Sequence, residues 1–155
     1  MAPSVTLDSV DREIIQHLQN DARISNKALA SRVGVAPSTC LERTNRLLRL
    51  GVVTGFHARV APKTVGRGVQ AFLAVQFLAH ARPLVDPFVD WARALPETID
   101  LYFVTGGDDF LVHIACVDTD DLQRLVLDFT ARREVGRLQT HLIFATWPGG
   151  PVQPA

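Results

Sequence analysis

Residues 37–50 form a predicted helix whose outer side carries groups able to contact nucleic acid. Its inward positions recur at the helical period and are Cys40, Leu41, Thr44, Leu47 and Leu48. The outward positions are Ser38, Thr39, Glu42, Arg43, Asn45, Arg46 and Arg49. Such side chains bind base edges and phosphates, and one helix fits the major groove of DNA. The residues predicted to contact DNA are Ser38, Thr39, Glu42, Arg43, Arg46 and Arg49.

A shorter helical pattern precedes this helix, and Gly34 and Val35 lie between the two. Ser25 is a suitable N-cap for the shorter helix, and Pro37 suits the first turn of the longer one, where its missing N–H leaves no bond unmade. Gly51 stands just past the longer helix, where a left-handed residue often ends a helix. Residues 25–50 are therefore predicted to form a helix-turn-helix.

Charge is unevenly distributed along the chain, which is neutral overall with 16 basic and 16 acidic residues. The segment 23–63 has eight basic residues against one acid, Glu42, so it carries +7 and the remainder carries −7. An arginine-rich helix face is usually only a solvated face. The concentration of positive charge in one segment instead favours a DNA-binding domain joined to a part that does not touch DNA.

Length and composition indicate a soluble globular protein with one ordinary domain or two small ones. The chain has 155 residues, of which 47% are hydrophobic and 21% charged. The sequence has no apolar run long enough for a membrane span and no signal-like N-terminus, so we expect a cytoplasmic protein without a membrane partner. Cys40 and Cys116 lie in apolar patterns and are predicted to be buried thiols.

The helix-turn-helix is flanked by further predicted structure. Residues 7–18 have apolar side chains at helical spacing and form a first helix. Residues 52–62 have β-type composition, which predicts either a wing beside the helices or a strand leading out of the domain. Residues 62–69 read as a linker because of Gly66 and Gly68. The DNA-binding domain is thus predicted to span residues 1–61.

The second half alternates strands and helices in the order β-α-β-β-α-β. The predicted strands are 70–79, 99–105, 110–117 and 138–147, and the predicted helices are 84–95 and 119–131. This order is that of ferredoxin-like domains, in which both helices cover one sheet face. Leu73, Phe77 and Phe103 are expected to supply apolar side chains to the other face, which implies self-association. The domain spans 70–147, and residues 148–155 are expected to form a flexible tail.

The fold class that follows is α+β. An N-terminal helix-turn-helix domain, winged-helix-like, is joined to a C-terminal ferredoxin-like βαββαβ domain.

Three motifs of the first half follow one known pattern. Leu7, Asp8, Asp11, Ile14 and Ile15 match Leu-Asp-x-x-Asp-x-x-Ile-Ile, and residues 21–23 match Asp-x-Arg. Residues 37–48, with Cys-Leu-Glu-Arg at 40–43, are close to a Ser-x-x-x-Cys-x-x-Arg-x-x-x-Leu recognition helix. Over residues 5–147 the chain resembles the Lrp/AsnC family of prokaryotic transcription regulators. The resemblance implies a regulator that binds double-stranded operator DNA, forms dimers through its sheets and often tetramers or octamers, and responds to a small amino acid.

The same resemblance implies an effector site at the turn between the second and third strands. The family's Gly-x-x-Asp-Tyr corresponds to Gly106, Gly107, Asp108, Asp109 and Phe110, so that Phe replaces Tyr. The site predicted from this comparison comprises Thr105, Gly106, Gly107, Asp108, Asp109, Phe110, Leu138 and Thr140. Glycine N–H groups would receive the ligand carboxylate, and Asp109 its ammonium. On the residues alone, the same turn is explained as an ordinary hairpin turn.

The identity of the effector is suggested by one departure from the family. Relatives often read Thr-x-Thr on the last strand, whereas this chain has Leu138-Gln139-Thr140. The less polar surroundings favour an apolar or aromatic amino acid such as leucine, alanine or phenylalanine over asparagine, glutamine or lysine. A pocket that no longer works remains the alternative.

Other chemistry finds little support in the sequence. The five histidines (His17, His57, His80, His113 and His141) have no metal-ligand spacing, and no catalytic triad, P-loop or dinucleotide motif is found, so no catalytic residue, metal or cofactor is predicted. Two other classes are the rivals of this interpretation. A dimeric ferredoxin-like enzyme would need converging polar side chains in the second half, and the sequence shows none, so no enzyme is predicted. An architectural protein would bind DNA without any effector.

Overall fold

The computed structural model describes residues 6–79 and 84–153. The helices are α1 (Ser9–Asn20), α2 (Asn26–Arg32), α3 (Pro37–Arg49), α4 (Val85–Ala94) and α5 (Thr119–Thr130), with a 3₁₀ helix at Pro62–Val65. The strands are β1 (Val69–Phe77), β2 (Thr98–Phe103), β3 (Phe110–Cys116) and β4 (Val135–Leu142). Two compact units result: the chain up to Arg59 together with the segment from Pro148, and Val60–Trp147. Among these helices, none is both long and apolar enough to cross a membrane.

The first unit is the predicted helix-turn-helix, with α1 packed behind it. Its buried core consists of Ile14, Ile15, Leu18, Leu29, Ala30, Val33, Cys40 and Leu47. The Ser25 hydroxyl caps α2 by accepting from the Ala28 N–H at 3.2 Å. Gly34 lies in the turn between α2 and α3 at φ +69°, a conformation that glycine adopts without steric cost. The local sequence therefore determines where these helices begin and how they are joined.

The end of α3 explains why no wing follows it. Gly51 has φ +68°, and its N–H bonds the Leu48 carbonyl at 3.0 Å. The Val52 and Val53 N–H groups both bond the Leu47 carbonyl, at 3.0 and 3.2 Å. This Schellman-type ending turns both valines back onto the helical core. Residues 52–61 form no strand in this chain, and the expectation of a wing or an exit strand is wrong for this segment.

The second unit confirms the predicted β-α-β-β-α-β order. Its antiparallel sheet has the strand order β2-β3-β1-β4, and α4 and α5 pack against one face. Phe88, Phe110 and Phe129 are fully buried between the helices and the sheet. Burying one such side chain stabilises the fold by about 1.5–3 kcal/mol. The fold class predicted from the sequence is thus confirmed.

Both cysteines are buried thiols, as predicted. Cys40 lies in the core of the helix-turn-helix unit, and Cys116 lies in the core between the sheet and its helices. Neither residue is accessible to solvent. Burial raises the pKa of the Cys116 thiol to about 11 and also raises that of Cys40. Neither thiol is ionised near neutral pH, so both act as small apolar side chains.

The assignment of Leu73, Phe77 and Phe103 to the uncovered sheet face is wrong. Leu73 is fully buried beneath the helices, and the Phe77 ring meets that of Phe88 at 5.0 Å. Phe103 pairs with Phe110 across β2 and β3, their ring centroids 5.0 Å apart. Side chains alternate between faces with period two, so a misjudgement by one residue exchanges the faces. All three residues belong to the covered face, although Phe103 remains 70% exposed at the sheet edge.

The face opposite the helices carries a mixture of aromatic, apolar and polar side chains. Phe72 stacks on His113 at 4.9 Å, and partial burial lowers the pKa of that histidine. β4 begins at Val135 and ends at Leu142, earlier than the predicted 138–147. Beyond it, Phe144 and Trp147 are 97% and 85% exposed. An open sheet face therefore exists, built from residues other than the three expected.

Candidate nucleic-acid interface

The outer side of α3 presents a stripe of polar side chains to solvent. Ser38, Glu42, Asn45 and Arg49 are all exposed and follow one another at spacings of three or four residues, opposite the buried Cys40 and Leu47. Thr39 is exposed on the flank of this stripe. Four of the six predicted DNA-contacting residues, Ser38, Thr39, Glu42 and Arg49, are thus available to a ligand in the groove.

The structure gives the other two, Arg43 and Arg46, a different partner. Arg43 Nη1 lies 2.6 Å from Asp8 Oδ2 and 3.0 Å from Asp11 Oδ1, and Arg46 Nη1 lies 3.0 Å from Asp11 Oδ2. Asp11 is a buried residue on α1, and only 1% of its side chain is accessible. Both guanidinium groups are therefore directed at α1, in contrast to the expectation that they meet DNA. We call Asp8, Asp11, Arg43 and Arg46 together the α1–α3 ion-pair cluster.

The cluster satisfies charges that would otherwise be costly to bury. Each Asp11 carboxylate oxygen accepts from one arginine, so the buried charge is paired on both sides. The hydrogen bonds that Arg43 donates to Asp8 and, to a smaller extent, to Asp11 raise the pKa of Arg43. The hydrogen bond from the Asp11 backbone N–H, and secondly the one from Arg43, lowers the pKa of Asp8. The Asp8–Arg43 ion pair is therefore present at neutral pH and is lost as the pH falls through this lowered pKa. These contacts join α3 to the start of α1 beside the apolar core that both helices share.

Two further residues belong to the candidate interface. Asn45 lies at the centre of the outer stripe and is exposed, although it is not among the six residues predicted to contact DNA. Leu41 was expected to face inward, yet 50% of it is exposed. Leu41 stands at i, i+3, i+7 spacing with Thr44 and Leu48, so the helical period alone does not separate it from the inward positions.

The predicted effector turn joins β2 to β3. It is closed by the Val104 N–H, which donates to the Asp109 carbonyl at 2.9 Å. Gly106 has φ +126°, and an added Cβ on Gly106 or Gly107 would meet no atom within 4 Å, so the turn is open to solvent. Asp109 Oδ2 accepts from the Phe77 N–H at 2.7 Å. Asp109 therefore ties the turn to the end of β1, a role that the sequence did not reveal.

The structure brings only part of the predicted effector site together. Residues 105–109 share the turn, whereas Leu138 and Thr140 lie on β4 opposite Val75 and Leu73. β1 lies between β3 and β4, so Leu138 and Phe110 are about 10 Å apart across the sheet. Phe110 is fully buried in the core, which removes its ring from any open site in one chain.

Metal-binding groups do not cluster in the part of the chain that the structure describes. No group of three or more His, Cys, Asp or Glu side chains there could hold an ion. His80 lies outside the described residues.

Two family models match the chain. Residues 7–48 match the AsnC-type helix-turn-helix domain, and residues 70–150 match the Lrp/AsnC ligand binding domain. The chain belongs to the Lrp/AsnC family. This Lrp/AsnC protein is a DNA-binding transcriptional regulator with a ligand-binding domain, and the resemblance seen in its sequence is confirmed.

Named relatives and solved structures agree with this membership. The HTH-type transcriptional regulator AldR of Mycolicibacterium smegmatis is 45% identical over 139 residues, which are 89% of this chain and 81% of that protein. The crystal structure of AldR from Mycobacterium tuberculosis aligns with a TM-score of 0.78 and 37% identity, covering 94% of this chain and 99% of that one. The crystal structure of a transcriptional regulator of Neisseria meningitidis in complex with L-Met aligns with a TM-score of 0.86 and 30% identity. The alignment covers 96% of this chain and 97% of that one.

Replacing Asp11 tests the α1–α3 ion-pair cluster of this Lrp/AsnC regulator. We expect Asp11→Asn to lower the free energy of unfolding by about 1.5–3 kcal/mol, because hydrogen bonds to two charged groups are weakened. Chemical denaturation followed by circular dichroism measures the change. Glu13→Gln, an exposed position on the same helix, is the matched control and should change stability little. Equal effects of the two substitutions would contradict this role of Asp11.

Proposed function

We propose that this protein is a homo-oligomeric, sequence-specific operator-binding regulator whose activity in the cytoplasm is modulated by a small apolar amino acid. The observation that carries the proposal is the exposed stripe of Ser38, Glu42, Asn45 and Arg49 on one helix within a segment of net charge +7. Amino-acid metabolism or transport genes are the targets that fit such an effector.

DNA reading is divided among the exposed side chains of α3. Asn45 can form two hydrogen bonds with an adenine edge, and Glu42 can accept from the cytosine amino group. Ser38 and Thr39 lie near the N-terminus of the helix, where recognition helices approach bases most closely. Leu41 offers an apolar surface for a thymine methyl group. Arg43 and Arg46 then act by holding α3 in position rather than by contacting bases.

Substitution of Asn45 tests this division directly. We expect Asn45→Ala to weaken operator binding by about 1–3 kcal/mol while binding to random DNA changes little, because a base contact is lost and phosphate contacts are kept. Fluorescence anisotropy at fixed salt, on an operator obtained by selection, measures both affinities. Gln16→Ala, an exposed amide on α1, is the control. An unchanged ratio of operator to random affinity in Asn45→Ala would refute the assignment.

The β2–β3 turn supports the proposed effector site. The exposed N–H groups of Gly106 and Gly107 are suited to a carboxylate, and Asp109 supplies negative charge for an ammonium. Leu138 lies on β4, beyond β1, and Phe110 is buried in the core. An effector held at this turn must therefore complete its contacts with other groups. The resemblance to the family implies a ligand site between dimers, where a second dimer would supply these groups. The L-Met bound to the Neisseria meningitidis regulator is an apolar amino acid and agrees with the proposed ligand class.

A thermal screen of the twenty amino acids tests the effector. An apolar or aromatic amino acid should raise the unfolding midpoint by mass action, and asparagine and lysine should not. Asp109→Asn should abolish the shift, since it removes the charge but keeps an oxygen for the Phe77 N–H. Asp120→Asn, an exposed acid in the first turn of α5, is the matched control. A shift from lysine or asparagine alone, or a normal response in Asp109→Asn, would count against the proposal.

The open sheet face supports self-association. Phe72 and the exposed Phe144 and Trp147 place aromatic surface on or beside this face, and exposed apolar patches of this kind mark interaction sites. A dimer would present two copies of α3 to half-sites about one helical turn, or a multiple of it, apart. Assembly into tetramers or octamers is the further step that the family suggests.

Light scattering at micromolar concentration tests the assembly. We expect a mass of at least twice the 17.0 kDa of one chain. Phe72→Glu should lower this mass, because a carboxylate would be buried without a partner in the interface. Val65→Glu, at an exposed position outside the sheet, is the control. A monomeric native protein would overturn the proposed dimer.

A further inference from the structure

An apolar groove runs along the back of the helix-turn-helix unit. It encloses about 600 Å³ and is lined by Leu7, by the second half of α1 and by residues 52–57. Val152, from the segment that begins at Pro148, also lies on its wall. The groove lies within one compact unit. None of the residues assigned to the DNA interface lines it, so the function proposed above leaves the groove unexplained.

The segment from Pro148 reaches this groove, where the Gln19 side chain binds the backbone of Val152. Gln19 Nε2 donates to the Val152 carbonyl at 2.9 Å, and the Val152 N–H donates to Gln19 Oε1 at 2.8 Å. One carboxamide thus satisfies both backbone groups of one residue, as a neighbouring strand would. The Val152 side chain is 78% exposed, so recognition depends on the backbone.

The composition of this segment suits an extended ligand. Residues 148–155 read PGGPVQPA, with three prolines and no charged side chain. Proline-rich segments favour the polyproline II conformation, which loses little entropy on docking and binds grooves that contain aromatic side chains. Phe56 and His57 supply such side chains at the edge of this groove.

We propose that the groove is a docking site for the chain's own C-terminal segment, with Gln19 as its anchor. The segment then forms a second covalent route from the ligand-binding domain to the DNA-binding domain, in addition to the connection around residues 60–68. The route ends on α1, the helix whose Asp11 holds Arg43 and Arg46 of α3. This proposal depends on neither the identity of the effector nor that of the operator.

Hydrogen–deuterium exchange of the full-length chain tests the docking. In the native protein the Val152 amide should exchange at least about fivefold more slowly than in Gln19→Ala, in which the hydrogen bond to this amide is lost. Amides of residues 18–22 and 52–57 should also become less protected in that variant. Gln16→Ala, three residues earlier on the same helix, is the matched control and should exchange like the native protein.

Two outcomes overturn the proposal. If Gln19→Ala and Gln16→Ala exchange identically at Val152, the segment is not anchored by Gln19. If protection at Val152 disappears on dilution to monomer, the groove is filled by the C-terminal segment of another copy rather than by the chain's own. Protection that is independent of concentration and lost only in Gln19→Ala is the expected result.

Discussion

The buried carboxylate of Asp11 is the interaction on which the arrangement of the DNA-binding unit depends. It belongs to the first turn of α1, where its side chain also lies 3.4 Å from the Asp8 N–H in a capping box. From this position it pairs with Arg43 and Arg46, which lie one turn apart on α3. A buried charge with two defined partners allows fewer arrangements than apolar packing alone. The orientation of α3 follows from this pairing.

The pairing also divides the side chains of α3 into two sets. Arg43 and Arg46 contact the aspartates at the start of α1, and the opposite stripe of Ser38, Glu42, Asn45 and Arg49 is exposed to solvent. The ligand-binding unit shows a comparable division. Asp109 ties the β2–β3 turn to the end of β1 through the Phe77 N–H, while Gly106 and Gly107 keep the turn open. In both units, a local hydrogen-bonded contact supports the group that is presented to solvent.

Features that depend on local sequence could be predicted, whereas features that depend on tertiary partners could not. Helical periods, the Ser25 cap, Gly51 and the β-α-β-β-α-β order are encoded within a few residues, and the structure confirms them. The faces of Leu73 and Phe103 depend on strand register, which changes completely with a shift of one residue. The ion-pair partners of Arg43 lie 35 and 32 residues away, at the N-cap and in the first turn of α1, so the spacing along α3 alone did not reveal them. Residues 52–61 have strand-like composition, but the end of α3 captures their first N–H groups.

A double-mutant cycle on operator affinity is the most direct test of the account. The four proteins are the native chain, Arg46→Ala, Asp11→Asn and the double variant. If Arg46 acts by holding α3 on Asp11, its substitution weakens operator binding in the native background and has a much smaller further effect in Asp11→Asn, because that variant has already lost the charge with which Arg46 pairs. If Arg46 instead contacts DNA directly, Arg46→Ala will weaken binding by the same factor in both backgrounds, and that result would contradict the account.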